Sequence, residues 1–522
     1  MHNLTTQKVC LFLISLGFFI ASPWLISEVL GGNPLPVLIL FGLGLLFLFL
    51  FVLKDRCWMI IPFCLSIEGN LNFLPLNFSM QEVAVIAVLA YILLQIIMGR
   101  QIKWKLGPAV FWLPLAGLLA VLMYHWVTSG DIGIRALGGG GWGGRKYYSI
   151  LMASLTLPLI ASFSGSSWRD FQAIPLIYFL GTFVDLIPNT LSTLIPAVAP
   201  YIYKVYSSVN VAAYGETLTG NFSGEASIAR YYNFARLGTA GGLLVLCYFP
   251  MRIWLDPSKL WILPVLSALL LLCAMSGFRA FVFNFILALG IAGFASARFK
   301  VLFLLPIALA GVFALSFSQG ALFNFPLPMQ RALSFLPGDW DAKAKSEAEG
   351  SSKWRNRMRD LFYSEYFSKA PFLGTGYGFD PDLAKRTTEQ FLRISASQQA
   401  DEWADVRGFI EMKQPHEGDV HAILVTGLIG TFFFVLFCFC IIGFSLKSIL
   451  SVPIASVAPI QIWASAILVQ QSLSFFTVFG DLSITLAQLC PVAAILASSL
   501  KFRPKATQLA RAPIPLPSAN SS

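Results

Sequence analysis

Apolar stretches long enough to cross a hydrocarbon core follow one another along this chain, separated by brief polar breaks. A span needs roughly 20 apolar residues, with about 17 the practical minimum. About fourteen runs reach that length. They lie at 9–30, 35–53, 57–77, 80–98, 108–127, 146–163, 171–190, 237–254, 259–276, 280–297, 300–318, 421–445, 456–479 and 482–499. The run at 57–77 is the weakest, because Glu68, Asn70 and Asn72 interrupt it, and it reads as a re-entrant or broken helix. The first run is longer than the core of a cleaved leader and many spans follow it, so it reads as an uncleaved helix. The pattern predicts an all-α polytopic membrane protein with about 12–14 transmembrane helices and a large helical extracytoplasmic loop.

Composition agrees. The 522 residues are 57% hydrophobic, 14% aromatic and only 12% charged, whereas a soluble domain carries about 25% charged residues. The mean hydropathy of +0.72 points the same way. These values speak against a soluble enzyme, a disordered protein and a nucleic-acid binder, so no nucleic-acid partner is expected. The formal charge of +10 has a meaning only once each basic residue is assigned to a side of the membrane.

Lys and Arg in short connections favour the cytoplasm. An inside N-terminus puts Lys54, Arg56, Arg100, Lys103, Lys105, Arg169, Arg252, Lys259, Arg298, Lys300, Lys447 and Lys501 all on that face without a break in the alternation. Both termini are then cytoplasmic, and two long segments, 191–236 and 319–420, lie outside. The chain divides into a transmembrane bundle at 1–318, an outer loop at 319–420, C-terminal helices at 421–500 and a Pro- and Ser-rich tail at 501–522 that reads as disordered. The eight cysteines lie in or beside apolar runs and none in the outer loops, which argues against a disulfide framework, a thiolate metal site or an outward-facing Cys nucleophile.

The larger loop has its own pattern. An acidic and basic stretch from Asp339 to Glu349 reads as a solvated turn. After Ser351 and Ser352, possible N-caps, Trp354, Met358, Leu361, Phe362 and Tyr366 fall on one helical stripe, with Arg355 and Arg359 on another face. The stripe suits plain packing or an acceptor-binding surface. Pro371 and the glycines 374, 376 and 378 end this helix, and 383–413 reads as one or two polar helices.

Candidate chemistry gathers where the outer segments meet the membrane. Of four histidines, His416 and His421 stand in Gln414-Pro415-His416-Glu417-Gly418-Asp419-Val420-His421, just before the twelfth run. A histidine there can act as a general base near neutral pH, with Glu417 or Asp419 orienting it or serving as the base instead. The bland alternative is an interfacial cluster that solvates a helix start. Metal ligation is disfavoured, because the two histidines are five apart where a helical pair is four, and no metal is expected. Arg145, Arg230, Arg236 and Arg279 stand at the outer boundary, where the orientation rule does not want them. Ionisable groups at membrane depth mark functional sites by default, and guanidinium groups make bidentate contacts to phosphate oxygens. Converging at one leaflet they would bind a lipid-linked phosphate or diphosphate; singly, each could snorkel to membrane lipid headgroups. The glycine run 138–141 and 143–144 could present backbone N–H groups to phosphate or act as a hinge.

The order and spacing of Pro371-Phe372-Leu373-Gly374-Thr375-Gly376-Tyr377-Gly378-Phe379, then His416, then Gly427-Leu428-Ile429-Gly430 resembles the bacterial O-antigen ligase and O-antigen polymerase superfamily of integral-membrane glycosyltransferases. Two positions depart from its pattern: Glu417 stands where Asn is common, and Phe278 where Ser is. The resemblance implies a GT-C-like fold in a bacterial inner membrane, a glycan on undecaprenyl diphosphate as donor, and a glycan or lipid A core as acceptor, with no cofactor. It implies that Arg236 and Arg279 hold the diphosphate, with Arg145 and Arg230 as supporting candidates, and that His416, with Arg279 and Glu417, carries catalysis. His421, Asp419 and Arg355 are the acceptor-side candidates. A polymerase joining lipid-linked repeat units, a protein glycosyltransferase and a flippase for lipid-linked oligosaccharide are the competing functions.

Overall fold

Helices take up nearly every apolar run that the structure, a computed structural model, describes. The described residues are 52–72, 78–128, 144–163, 166–208, 228, 230–254, 256–300, 305–378, 403–478 and 480–502. The first run, nearly all of the second, residues 138–143, most of 383–413 and the tail beyond 502 lie outside them. The long helices are α1 Met80–Ile97, α2 Ala109–Thr128, α3 Gly144–Ser162, α4 Ile174–Leu194, α5 Tyr232–Tyr248, α6 Ile262–Met275, α7 Arg279–Ala297, α8 Leu305–Ser318, α9 Ala342–Leu361, α10 Gly418–Leu450, α11 Pro459–Thr477 and α12 Leu482–Lys501. Among them α1, α2, α4, α6, α7, α10 and α12, with the short turns beside α6 and α7, are long and apolar enough to cross a membrane.

These helices are apolar on both sides. On α2, Leu115, Leu118 and Leu122 are buried while Leu113 and Val127 are exposed; on α4 the outer face carries Phe183 and Ile187. A helix that is hydrophobic all round is stable only where its exterior meets protein or lipid. The chain is therefore a mostly helical membrane protein. α12 runs through the middle, packed on α3, α11 and α10, with Leu486, Leu489, Cys490 and Leu496 fully enclosed. Many hydroxyls within the bundle return their hydrogen bonds to the helix backbone, as Ser499 Oγ does to the Leu496 carbonyl at 2.7 Å, which lowers the cost of burying them, whereas Ser465 and Ser498 have buried hydroxyls with no partner among the described residues.

Ion pairs sort the helix ends. At one end Arg100 meets Asp55 and Arg56 meets Asp170, and the Phe171 ring stacks on Phe502. At the other end lie Glu82 with Arg145, Lys146 with Asp481, and Arg236 with Glu68. The short basic connections at 54–56, 100 and 169 thus share one end of the bundle.

The run at 57–77 is broken. A 3-10 turn, Lys54–Met59, and a short helix, Ile60–Leu65, give way to strand β1, Asn70–Leu71. β1 pairs antiparallel with β2, Phe78–Ser79, and with β3, Tyr206–Ser207. The break carries Glu68 to the Arg236 guanidinium, so the polar residues that weakened the run have a structural use.

The outer loop departs from one expectation. Asp339–Glu349 is not a solvated turn, because α9 begins at Ala342 with Asp341 as its N-cap, the carboxylate accepting from Lys343 N at 2.9 Å and Ala344 N at 3.3 Å. Good helix formers follow, and Ala344 and Ala348 are buried, so Ser351 and Ser352 lie inside the helix. The apolar stripe packs: Met358, Leu361 and Phe362 join Val406, Ile410, Val420 and Leu424 in a small core of their own.

The two glycine motifs dock on each other. Residues 371–376 run along α10 where Gly427 (φ 63°, ψ −172°) leaves helical geometry. Thr375 N donates to Leu424 O at 2.8 Å, Gly376 N to Val425 O at 3.0 Å, Leu428 N to Pro371 O at 2.8 Å and Ile429 N to Phe372 O at 3.0 Å. Backbone groups released by a kink in a spanning helix need partners from neighbouring protein, and this segment supplies them. The His125 imidazole bonds Leu373 O at 2.7 Å and Tyr147 Oη accepts from Tyr377 N at 2.9 Å, holding the strut in place.

Candidate functional site

A cavity of about 880 Å³ opens at the end of the bundle that carries Arg145, Lys146 and Arg236. Its wall mixes charged residues such as Glu68 and Glu82, amides such as Gln470 and Gln488, and apolar residues such as Val85, Met152 and Leu243. Arg145 stands in the first turn of α3. It grips the Glu82 carboxylate with two nitrogens and lies over the rings of Phe78 and Tyr148. Glu82 also caps α1 in a reciprocal box with Ser79. Arg236, in the first turns of α5, is buried and donates to Glu68 and to the Ser66 carbonyl, while its Nε–H has no partner among the described residues. That Nε is enclosed by protein, on the side of the guanidinium away from open space, with Tyr178 close by.

The histidine loop sits beside the same end. His416 holds a left-handed backbone (φ 56°), a conformation that costs a non-glycine residue about 1 kcal/mol or more. Its ring lies among Trp354 and Phe409. Burial pulls the imidazole below its ordinary value, with Asp481 opposing and Lys146 assisting. Glu417 pairs with Arg359 at 3.1 Å and Arg355 at 3.5 Å; burial raises its carboxyl against the pull of those two cations. Asp419 meets Arg359 at 3.3 Å. His421 is enclosed, its Nδ1 accepting from Leu482 N at 3.2 Å.

The stretch 478–483 joins cavity and loop. Arg355 donates to the Val478 carbonyl at 3.1 Å, and Val478 lines the cavity. Lys146 pairs with Asp481 at 2.8 Å, and Ser483 lines the cavity as well. Although burial works against its charge, Lys146 and His421 hold the Asp481 carboxyl well below the usual carboxylate range.

Arg230 and Arg279 form a second group. They do not line the cavity. Arg230 lies over the Phe278 ring, 5.8 Å from its centre, and Phe278 is itself part of the cavity wall. Arg279 donates to the Ala348 carbonyl of α9 at 2.8 Å. Beside them Arg331 donates to Gly277 O at 2.6 Å and to Glu347 at 3.1 Å; burial first, then Arg230, lowers it to about 10.

The structure thus brings Arg145 and Arg236 into one cavity, gathers His416, Glu417, Asp419 and Arg355 at its edge, encloses His421 behind them, and leaves Arg230 and Arg279 outside the cavity, Arg230 against the Phe278 ring. Each cavity cation is paired with a carboxylate, which sequence reasoning missed: Glu68, Glu82 and Asp481 belong to the site, and Arg331, Glu347 and Arg359 belong to its rim. A signal existed for the first two, since a carboxylate inside an apolar run is expensive unless it has a partner. Compared with known proteins, the chain matches no family profile and no curated protein.

Proposed function

We propose that the protein is a membrane glycosyltransferase of the O-antigen ligase kind, which moves a glycan from an undecaprenyl diphosphate carrier to an acceptor hydroxyl. On this reading the bundle has about 12–14 transmembrane helices in a GT-C-like arrangement in a bacterial inner membrane. The cavity end and the loop 319–420 face the periplasm, and both termini are cytoplasmic. The single observation that carries the reading is the cavity: Arg145, Lys146 and Arg236 stand together in a wall that is otherwise polar and apolar side chains, and the charges of Lys146 and Asp481 at its edge reach His416.

The chemistry follows from that arrangement. The acceptor oxygen attacks the anomeric carbon, the bond from that carbon to the diphosphate oxygen breaks, and the leaving group takes the electron pair. Negative charge grows on the departing diphosphate, and fixed cations in a poorly screened site stabilise it. The acceptor proton goes to His416 Nδ1 or Nε2, the neutral imidazole at working pH; Glu417 is occupied by two guanidinium groups and acts on the loop rather than on the proton. Attack opposite the leaving group inverts the anomeric centre. Ligation to a lipid A core and polymerisation of repeat units share these steps and differ in the acceptor.

Purified full-length protein, incubated with a lipid-diphosphate glycan and candidate acceptors, tests the proposal. We expect a new glycosidic linkage, formed slowly or not at all by Arg236→Ala and His416→Ala. Equal turnover by all three proteins removes the site assignment, and no turnover with any acceptor removes the function.

A further inference from the structure

Arg230 and Arg279 come from separate outer segments, and both charges lie close enough to Arg331 to act on it. Three contacts hold them around one ion pair. Arg331 Nη1 donates to the carbonyl of Gly277, two residues before Arg279. Arg331 Nε donates to Glu347 Oε2, and Glu347 Oε1 accepts from Ile228 N at 2.7 Å, two residues before Arg230. Next to Glu347, the Ala348 carbonyl accepts from Arg279 itself. Tyr231 N donates to Ser276 O at 3.0 Å, tying the two segments directly. Arg331 is buried and Glu347 nearly so, where hydrogen bonds to charged groups are at their strongest.

We propose that the Arg331–Glu347 pair is a positioning clamp that fixes Arg230, over the Phe278 ring, and Arg279, the residue after it, as one site for a diphosphate at the rim of the cavity; that the anion is a diphosphate rests on the function proposed above. The local charge supports it. Arg230, Arg279 and Arg331 face one carboxylate among the described residues, Glu347, which leaves an excess of positive charge beside the cavity wall. Arg331 is a positioning residue here, because its fork is spent on Gly277 and Glu347.

The clamp makes a prediction opposite in sign to simple charge counting. Removing a negative charge beside an anion site should tighten binding, whereas releasing a clamp should weaken it. Binding of farnesyl diphosphate to the full-length protein in detergent, by equilibrium dialysis at fixed salt, reads the difference. Glu347→Gln should weaken binding about ten- to hundredfold, the range for a lost hydrogen bond to a charged group. Glu347→Asp should stay much closer to the parent. Arg331→Lys keeps the charge, yet should weaken binding like Glu347→Gln, because one ammonium lacks the planar fork. Monodispersity and thermal unfolding show which variants are folded; if Glu347→Gln is not, Arg331→Lys and Glu347→Asp decide the matter. Unchanged or tighter binding by a folded Glu347→Gln or Arg331→Lys overturns the clamp. Binding by the parent that Arg279→Ala leaves untouched also overturns it, while the cavity around Arg236 stays in play for catalysis. No binding by the parent removes both clamp and anion site.

Discussion

Gly374 and Gly427 interlock backbone to backbone. The Cβ position of Gly374 lies 2.5 Å from the Gly427 nitrogen, and a Cβ on Gly427 would run into the Phe372 carbonyl. Both have positive φ, 76° and 63°. An alanine at either site meets backbone that cannot swing aside and adopts a left-handed conformation that costs about 1–2 kcal/mol. We expect Gly374→Ala and Gly427→Ala each to destabilise the protein by about 2 kcal/mol or more, read as a lower midpoint of thermal unfolding in detergent. Gly443→Ala, on the same helix with open space around it, should leave the midpoint in place.

The Arg236–Glu68 pair, buried on its arginine side only, separates stability from function. Leaving a buried charge without its partner costs about 3–5 kcal/mol. Glu68→Gln, which strands the buried guanidinium, should therefore unfold more easily than Glu68→Gln combined with Arg236→Met. The double variant should recover stability and still fail to transfer glycan. Recovery of both by the double variant would assign Arg236 to the fold alone.

The pH dependence of transfer should report His416. Burial sets its imidazole below 6.5, so the acid limb of the rate profile should have its midpoint below that value, with full activity at neutral pH. Asp481→Asn removes a charge that favours the imidazolium and should move the limb further down. Lys146→Met removes one that opposes it and should move the limb up. Shifts in the same direction for both variants would detach the limb from His416. The sign for stability is the same: a histidine whose folded value lies below its unfolded one contributes fully above about 6.5, and that contribution is lost as pH falls.

Charge stabilisation of the leaving group should be costly to remove. Arg145→Ala should lower turnover about 10²- to 10³-fold, as loss of one preorganised donor commonly does, and should also lower the unfolding midpoint, because it leaves the buried Glu82 carboxylate without its cation. Arg407→Ala, which breaks an exposed pair with Glu365, should turn over at the parental rate.

The helical membrane fold was readable from the chain because the bilayer imposes a length rule on each segment separately, and α1, α2, α3, α4, α7, α11 and α12 fall within a few residues of the runs that predicted them. The solvated turn at 339–349 was misjudged for the opposite reason. Its charges concealed a helix whose alanines pack on neighbours that no local pattern names.

The site was partly readable. Arg145, Arg236, Arg279 and His416 stand out as charged groups at the ends of apolar runs, a property each possesses alone. That Arg236 meets Glu68 across 168 residues, that Lys146 meets Asp481 across 335, and that residues 371–376 supply the backbone partners for a kinked α10 depend on which helices become neighbours. Hydrophobicity determines that a segment enters the membrane and charge biases its direction, both one segment at a time. Lipid is as apolar as the helix faces it surrounds, so the apolar pattern says little about which helix packs on which. That choice rests on close backbone approach and on paired buried charges, which exist only once the tertiary structure has brought the segments together.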